Sequence, residues 1–344
     1  VIDITERIQM TGSNISKADF AIMLSAISKV IPQLKSKPSY FEILTAMAIC
    51  YFIKNNCKWA VLETGLGGRL DSTNAFKSTI TAITSISFDH TEKLGSTLEQ
   101  IAFEKAGIIK DNTPLILGKI NDKALGVIIK KSKEKNSNVY ILSKDFSITD
   151  IKSNIDETNF NFAPNNINVT IPKSGKYISD NAAICIMASI AAGLNIKYDF
   201  SGLDLPARFD IIHKSPYLIL DGAHNEASAK ALSNTLINLF PEKKINFILG
   251  FLKGKNYKTF FEQIKDIALS ISVCKINDSN DNSNEVYNYI KDNFKNTHYI
   301  ENPLNCSDFL SINENSIIVA CGSFYLCSEI LSVKNQFINN LFRR

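Results

Sequence analysis

Four short runs place reactive side chains where ligands gather. The first is Leu62-Glu63-Thr64-Gly65-Leu66-Gly67-Gly68-Arg69-Leu70-Asp71-Ser72-Thr73-Asn74. The apolar residues 59–62 read as a short buried strand, which puts Glu63 just past its end. Open α/β sheets bind ligands outside the carboxyl ends of their strands. A carboxylate there can hold a hard cation through oxygen, and glycines let backbone N–H groups approach an anion. A tight turn with a solvated glutamate fits the same residues equally well. The order is not G-x-G-x-x-G, so the dinucleotide fingerprint is absent.

The second run, Ser87-Phe88-Asp89-His90-Thr91, ends a strand expected over residues 80–88. His90 could ligate a metal or orient a carboxylate; a hydrogen-bonded loop histidine is the plainer reading. The third, Glu104-Lys105-Ala106-Gly107-Ile108-Ile109, is by itself a charged last helical turn before a glycine cap. The fourth pairs Pro206-Ala207-Arg208-Phe209-Asp210 with Leu220-Asp221-Gly222-Ala223-His224-Asn225. Arg208 could clamp a phosphate with two parallel hydrogen bonds. Asp221 could bind a ribose hydroxyl or a substrate amine, or simply belong to an Asp-Gly turn.

The elements that must position these residues follow from periodicity. Residues 41–55 have apolar side chains at helical spacing. Residues 96–109 read as a helix with Ser96 as N-cap and Glu99 three residues on. Residues 114–117 read as a strand, 139–172 as several short strands with Asn-rich turns, and 180–194 as a helix. A polar stretch over 195–206 breaks the pattern. Strand and helix then alternate: strands at 217–221, 245–249 and 270–275, helices at 227–239 and 257–269, and a polar loop at 277–284. Alternation of this kind predicts parallel sheets covered by helices, an α/β fold.

Bulk properties narrow the classes. A chain of 344 residues exceeds the ~250–300 at which one core stops growing, so two domains are expected. A net charge of +4 is too small to argue for nucleic acid or an acidic membrane surface. The longest apolar run, residues 182–194, is shorter than the ~20 residues of a membrane span. Seven cysteines without a C-x-x-C pair read as reduced, mostly buried thiols of a cytoplasmic protein.

Taken in order, the four runs resemble the folate branch of the ATP-dependent Mur-type ligases, the folylpolyglutamate and dihydrofolate synthases. Thr5-Glu6-Arg7-Ile8, the helix from Phe41, Asp180-Asn181-Ala182 and Cys321-Gly322-Ser323-Phe324-Tyr325-Leu326 extend the resemblance over nearly the whole chain. The resemblance implies an α/β protein of two domains: an incomplete P-loop-type central domain at 1–195, a linker at 196–205, and a Rossmann-like C-terminal domain at 206–344. It implies that Glu63 and His90 bind Mg²⁺ together with Lys105, which matches a lysine carbamylated in that family. It also implies ATP contacts from Asn181, Arg208, Asp221 and His224, and a pterin substrate near Ser72, Thr73 and Asn74. The implied partners are ATP, L-glutamate and dihydropteroate or folates, and the implied state is a cytoplasmic monomer.

Two departures stand against that pattern. No G-x-x-x-x-G-K-[S/T] occurs in these residues, and Lys255-Asn256 stands where the family's loop ends in acidic residues. The chain opens on Val1. A missing N-terminal β-α unit and weak or absent ligase activity of the chain as given are therefore expected, either because it is a fragment or because it is an inactive remnant that still binds folate or nucleotide. A Mur-type ligase acting on cell-wall nucleotides and a nicotinamide-dependent dehydrogenase are the rival enzymes. The Gly-Leu-Gly-Gly-Arg-Leu-Asp loop disfavours the first and the missing fingerprint disfavours the second.

Overall fold

Burial on both faces shapes the larger of two compact units in this computed structural model, which describes residues 3–308 and 312–342. That unit comprises Ser87–Asp89 and Tyr140–Arg344; the smaller comprises Asp3–Ile86 and His90–Val139.

The larger unit is built on six strands in the spatial order Thr297–Ile300, Ala268–Cys274, Ile245–Leu249, Ile317–Cys321, Tyr217–Leu220, Asp210–Lys214. All neighbours are parallel except the last pair, whose antiparallel edge strand Asp210–Lys214 was not among the expected elements. Successive side chains point to opposite faces. Ile219, Phe247, Leu249 and Val319 therefore join one core layer with Leu232, Leu236, Phe260, Phe261 and Ile290. Leu218, Leu220, Ile248, Ile318 and Ala320 join the other with Leu326, Ile330 and Phe337. Strands covered on both sides read as continuous apolar runs, which is why the alternation was visible in sequence. Among the polar side chains buried inside, Asn246 and Ser270 on neighbouring strands satisfy each other, the Ser270 hydroxyl donating to Asn246 Oδ1 at 2.6 Å.

Tyr217–Leu220 and Ile245–Leu249 are consecutive in sequence after the edge hairpin, yet Ile317–Cys321 lies between them. This is a topological switch point, and the loops leaving the carboxyl ends of these three strands gather over it. The same unit holds the three-stranded antiparallel sheet Ser147–Ser153, Thr158–Ala163, Ile167–Ile171, packed against the helix Lys176–Ala191. That helix starts four residues ahead of the expected 180. Cys274, Cys306, Cys321 and Cys327 are buried in this unit.

In the smaller unit the helices Lys17–Ser28 and Tyr40–Lys54 share a core of Met23, Leu44, Met47 and Tyr51 with Ile8 and Ile15. Ser39 and Glu42 close a capping box on the second helix, their side chains satisfying each other's backbone N–H. Thr81–Ile83 and Leu115–Leu117 pair in parallel, a shorter strand than the expected 80–88. The helix Leu98–Ala106 is capped by Thr97 with Gln100, not by Ser96 with Glu99. Gln100 Oε1 accepts the N–H groups of both Ser96 and Thr97, and Thr97 Oγ1 accepts the Gln100 N–H in return. A further helix, Asp122–Glu134, packs on it. The expected buried strand at 59–62 is not formed: Trp59 is 51% and Val61 96% exposed, and no described strand pairs with them.

Phe247 is fully buried in the central strand of the larger unit. Phe247→Ala should lower unfolding free energy by ~3–5 kcal/mol through lost burial and a residual cavity. Urea unfolding of variant and native protein checks this.

Candidate functional site

Arg208 is presented by a backbone that must be forced into place. Ala207 (φ 56°) and Phe209 (φ 44°) on either side of it are both left-handed. Such residues cost about 1–3 kcal/mol each outside glycine and persist only when their surroundings over-determine them. Asp210 Oδ2 accepts the Ala207 N–H at 3.2 Å, and the Ala207 carbonyl accepts the Gly222 N–H at 2.8 Å. Asp221 Oδ2 accepts the Phe209 N–H at 2.9 Å and its Oδ1 the Ala223 N–H at 2.8 Å. Burial pushes the Asp221 carboxyl up, while these two N–H groups and the charges of Arg208 and His224 pull against that rise. Both Asp221 oxygens are thus engaged by backbone, and Arg208 is left exposed with its guanidinium over the Phe324 ring, 4.6 Å from the centroid.

His224 follows on the same loop. Its Nδ1 lies 2.8 Å from the Gly222 carbonyl, which can only accept, so Nδ1 carries the hydrogen. Its Nε2 lies 3.3 Å from Asp89 Oδ2, which also accepts from Asn225 Nδ2 at 3.1 Å. Asp89 Oδ1 accepts from Lys255 Nζ at 2.9 Å. Burial alone would raise the Asp89 carboxyl; the hydrogen bonds of His224, Lys255 and Asn225 and the Lys255 charge override it and hold it well below the usual carboxylate range. The Lys255-Asn256 departure has a local explanation here. Lys255 is the partner of Asp89, and Asn256 caps the helix Tyr257–Ile264 by accepting the Thr259 N–H at 3.2 Å. Asn181 is exposed on the helix Lys176–Ala191.

In the smaller unit one carboxylate organises the glycine loop. Asp71 Oδ2 accepts the N–H groups of Gly65 and Leu66, each at 3.0 Å. Its Oδ1 accepts the Thr73 N–H at 2.9 Å and hydroxyl at 2.6 Å. The loop then docks on the helix that carries Lys105. The Arg69 N–H reaches the Glu104 carbonyl at 2.8 Å, and the Arg69 guanidinium pairs with the Glu104 carboxylate at 3.0 Å. A Cβ on Gly68 would lie 2.9 Å from that same carbonyl and 3.0 Å from that of Lys105, so only glycine permits the approach. Asn74 Nδ2 donates to the carbonyls of Arg69 and Gly107, both at 3.0 Å, and Lys110 Nζ donates to the Asn74 carbonyl at 2.6 Å. Ser72 Oγ shares a hydrogen with Thr45 Oγ1 at 2.7 Å. A cavity of about 280 Å³ opens beside the loop, lined by Phe41, Leu66, Gly67, Leu70, Ser72 and Leu94 among others.

Glu63 is exposed ahead of this loop. His90 is left-handed (φ 48°) at the start of the helix Thr91–Leu94, 42% exposed, with Nδ1 3.7 Å from Glu92 Oε1. Lys105 is half-buried in the last turn of Leu98–Ala106. Among the described residues no three His, Cys, Asp or Glu side chains gather as a metal cluster. The expected set contains only two such side chains, both accessible: the Glu63 carboxylate offers the oxygen that a hard divalent cation takes, and the His90 imidazole offers a nitrogen.

Sequence reasoning passed over Asp71, Asp89, Lys255 and Phe324 as individual residues. Asp71 carried a signal, an Asp two residues before a Thr at the start of a turn. The partner of Asp89 at Lys255 is 166 residues away and leaves no local trace.

The Mur ligase middle domain family matches residues 8–189, and the Mur ligase glutamate ligase domain matches residues 207–324. The chain is 29% identical to the dihydrofolate synthase/folylpolyglutamate synthase of Bacillus subtilis, over 96% of this chain and 81% of that protein. It is 28% identical to the dihydrofolate synthetase of Saccharomyces cerevisiae, over 88% of this chain and 78% of that protein. The folylpolyglutamate synthase of Thermotoga maritima superposes with a TM-score of 0.83 at 29% identity, over 96% of this chain and 79% of the other. The Mycobacterium tuberculosis folylpolyglutamate synthase complexed with ADP and AMPPCP shares the fold with a TM-score of 0.88 at 24% identity, over 100% and 83% of the two chains.

Asp71→Ala removes four hydrogen bonds from the glycine loop. Because the loop is partly exposed and water can replace some of them, the expected loss of stability is about 1–2 kcal/mol. Hydrogen exchange at the Gly65, Leu66 and Thr73 amides should speed up, while exchange in the larger unit's sheet stays unchanged.

Proposed function

The chain belongs to the Mur ligase family, and we propose that it is an ATP-dependent carboxylate–amine ligase of the folylpolyglutamate or dihydrofolate synthase type. Its reaction joins L-glutamate to dihydropteroate, to a folyl-glutamate, or to both. The observation that carries the reading is Arg208, held outward over the switch-point crevice by a turn that Asp221 and Asp210 clamp. An exposed guanidinium that makes no ion pair among the described residues suits phosphate oxygens. Domain limits of 1–195 and 206–344, with 196–205 as linker, are supported by the two family matches.

A carboxylate is a poor electrophile, so the chemistry takes two steps. The substrate carboxylate attacks the terminal phosphorus of ATP, and ADP leaves. The glutamate amine then attacks the acyl phosphate and expels inorganic phosphate, forming the amide. Arg208 orients and neutralises phosphate oxygens during the first step. His224 and Asn181 are assigned to the same nucleotide, and Asp221 acts by fixing the Arg208 turn. Glu63, His90 and Lys105 would hold Mg²⁺, Lys105 as a carbamate whose anionic oxygen replaces a repelled ammonium. Mg²⁺, when bound, offsets phosphate charge. Ser72, Thr73 and Asn74 are assigned to the pterin end of the substrate. A cytoplasmic monomer is part of the proposal; among the described residues no helix is long and apolar enough to cross a membrane.

A second reading, binding without turnover, rests on one observation: these residues contain no G-x-x-x-x-G-K-[S/T] to cradle the β- and γ-phosphates. We propose that a polypeptide of these 344 residues alone ligates glutamate much more slowly than one that also carries such a loop.

The test is phosphate release by the native protein, its intact mass measured alongside, with ATP, Mg²⁺, dihydropteroate or a folate, and glutamate. Release that requires glutamate and yields a product heavier by one glutamyl unit supports ligation. Nucleotide and folate binding with no release supports the second reading. In an active preparation Lys105→Ala should lower turnover by at least ~10³-fold, with partial recovery in added short-chain carboxylates. Unchanged turnover removes Lys105 from the mechanism.

A further inference from the structure

Phe324 sits where three parts of the larger unit's crevice meet, and the two-step chemistry assigns it no role. It opens the helix Phe324–Ser332, whose N-cap Ser323 accepts the Leu326 N–H at 3.1 Å, so its backbone position is fixed. The Arg208 guanidinium carbon stands 4.6 Å from its ring centroid. The His224 ring lies 6.3 Å away, tilted by 59°. Beneath it, a Cβ on Gly222 would come within 2.3 Å of the ring, so the ring rests on bare backbone. Among the described residues no hydrogen bond or ion pair takes up the Arg208 guanidinium, and the aromatic face is what it rests on.

A guanidinium lying over a ring is held by the ring's negative face while its N–H groups stay available around the rim. A long, unsupported arginine would instead lose rotamer freedom on meeting a ligand. We propose that Phe324 is a positioning residue, its ring holding the Arg208 guanidinium ready for the phosphate oxygens of a nucleoside triphosphate, with Gly222 left bare to seat that ring. This deepens the reading of Arg208 as a phosphate contact and rests on it.

The test is calorimetric titration of the native protein and its variants with a non-hydrolysable ATP analogue and, separately, with adenosine. Phe324→Leu keeps apolar bulk but removes the aromatic face. It should weaken triphosphate binding by about fivefold, leave adenosine binding unchanged, and add no further loss in an Arg208→Ala background. Phe324→Trp should restore binding. Gly222→Ala, which displaces the ring from below, should give the same phosphate-selective loss and serves if Phe324→Leu does not fold. Equal weakening of adenosine and triphosphate, or a loss that adds to that of Arg208→Ala, would assign Phe324 to packing and overturn the proposal. Native affinity in Phe324→Leu, with Arg208→Ala weakened, overturns it while sparing Arg208. Native triphosphate affinity in Arg208→Ala overturns the Arg208 reading and this inference with it.

Discussion

The buried carboxylate of Asp221 and the two backbone N–H groups it accepts hold the larger unit's crevice in shape. Two residues without glycine's freedom, Ala207 and Phe209, are left-handed on either side of Arg208. Their strain has to be offset, and a charged acceptor makes stronger hydrogen bonds than a neutral one. Burying that carboxylate is costly in turn, which its upward-shifted ionisation reflects. The geometry of Arg208 is therefore stabilised by a group that itself needs those N–H donors. An aspartate that looks from sequence like a ligand contact accepts two backbone N–H groups here, and Arg208 is exposed beside it.

The glycine loop repeats this arrangement in the smaller unit. Asp71 gathers the N–H groups of Gly65, Leu66 and Thr73, so that loop is shaped by an internal anion. Gly68 then lets it lie against the carbonyls at the end of the Lys105 helix, and Asn74 ties both strands of chain together. Among the residues expected to bind ligand, Ser72, Thr73 and Asn74 already have internal partners, while Glu63 stands exposed.

Legibility in the sequence tracked locality. The parallel sheet could be read because strands buried on both faces are apolar at nearly every position, as Ile317–Cys321 is. The same logic misled at residues 59–62, where an apolar run stays exposed because burial depends on neighbours that a run of residues cannot reveal. The helix cap falls on Thr97 and not Ser96 because Thr97 and Gln100, three residues apart, satisfy each other's backbone N–H groups. The resemblance implies ATP contacts from both Arg208 and Asp221; that Asp221 accepts the Phe209 and Ala223 N–H groups beside Arg208 left no trace in the sequence. The Asp89–Lys255 pair was invisible because its members are 166 residues apart.

Carboxylate activation by ATP is the central claim, and an isotope transfer tests it most directly. Dihydropteroate or a folyl-glutamate labelled with ¹⁸O in its reacting carboxylate is incubated with the native protein, ATP, Mg²⁺ and glutamate, and the released phosphate is analysed by mass. An acyl phosphate requires one ¹⁸O atom to appear in that phosphate for each amide formed. Phosphate released without label would contradict the account, because ATP would then be hydrolysed by water and not used to activate the substrate.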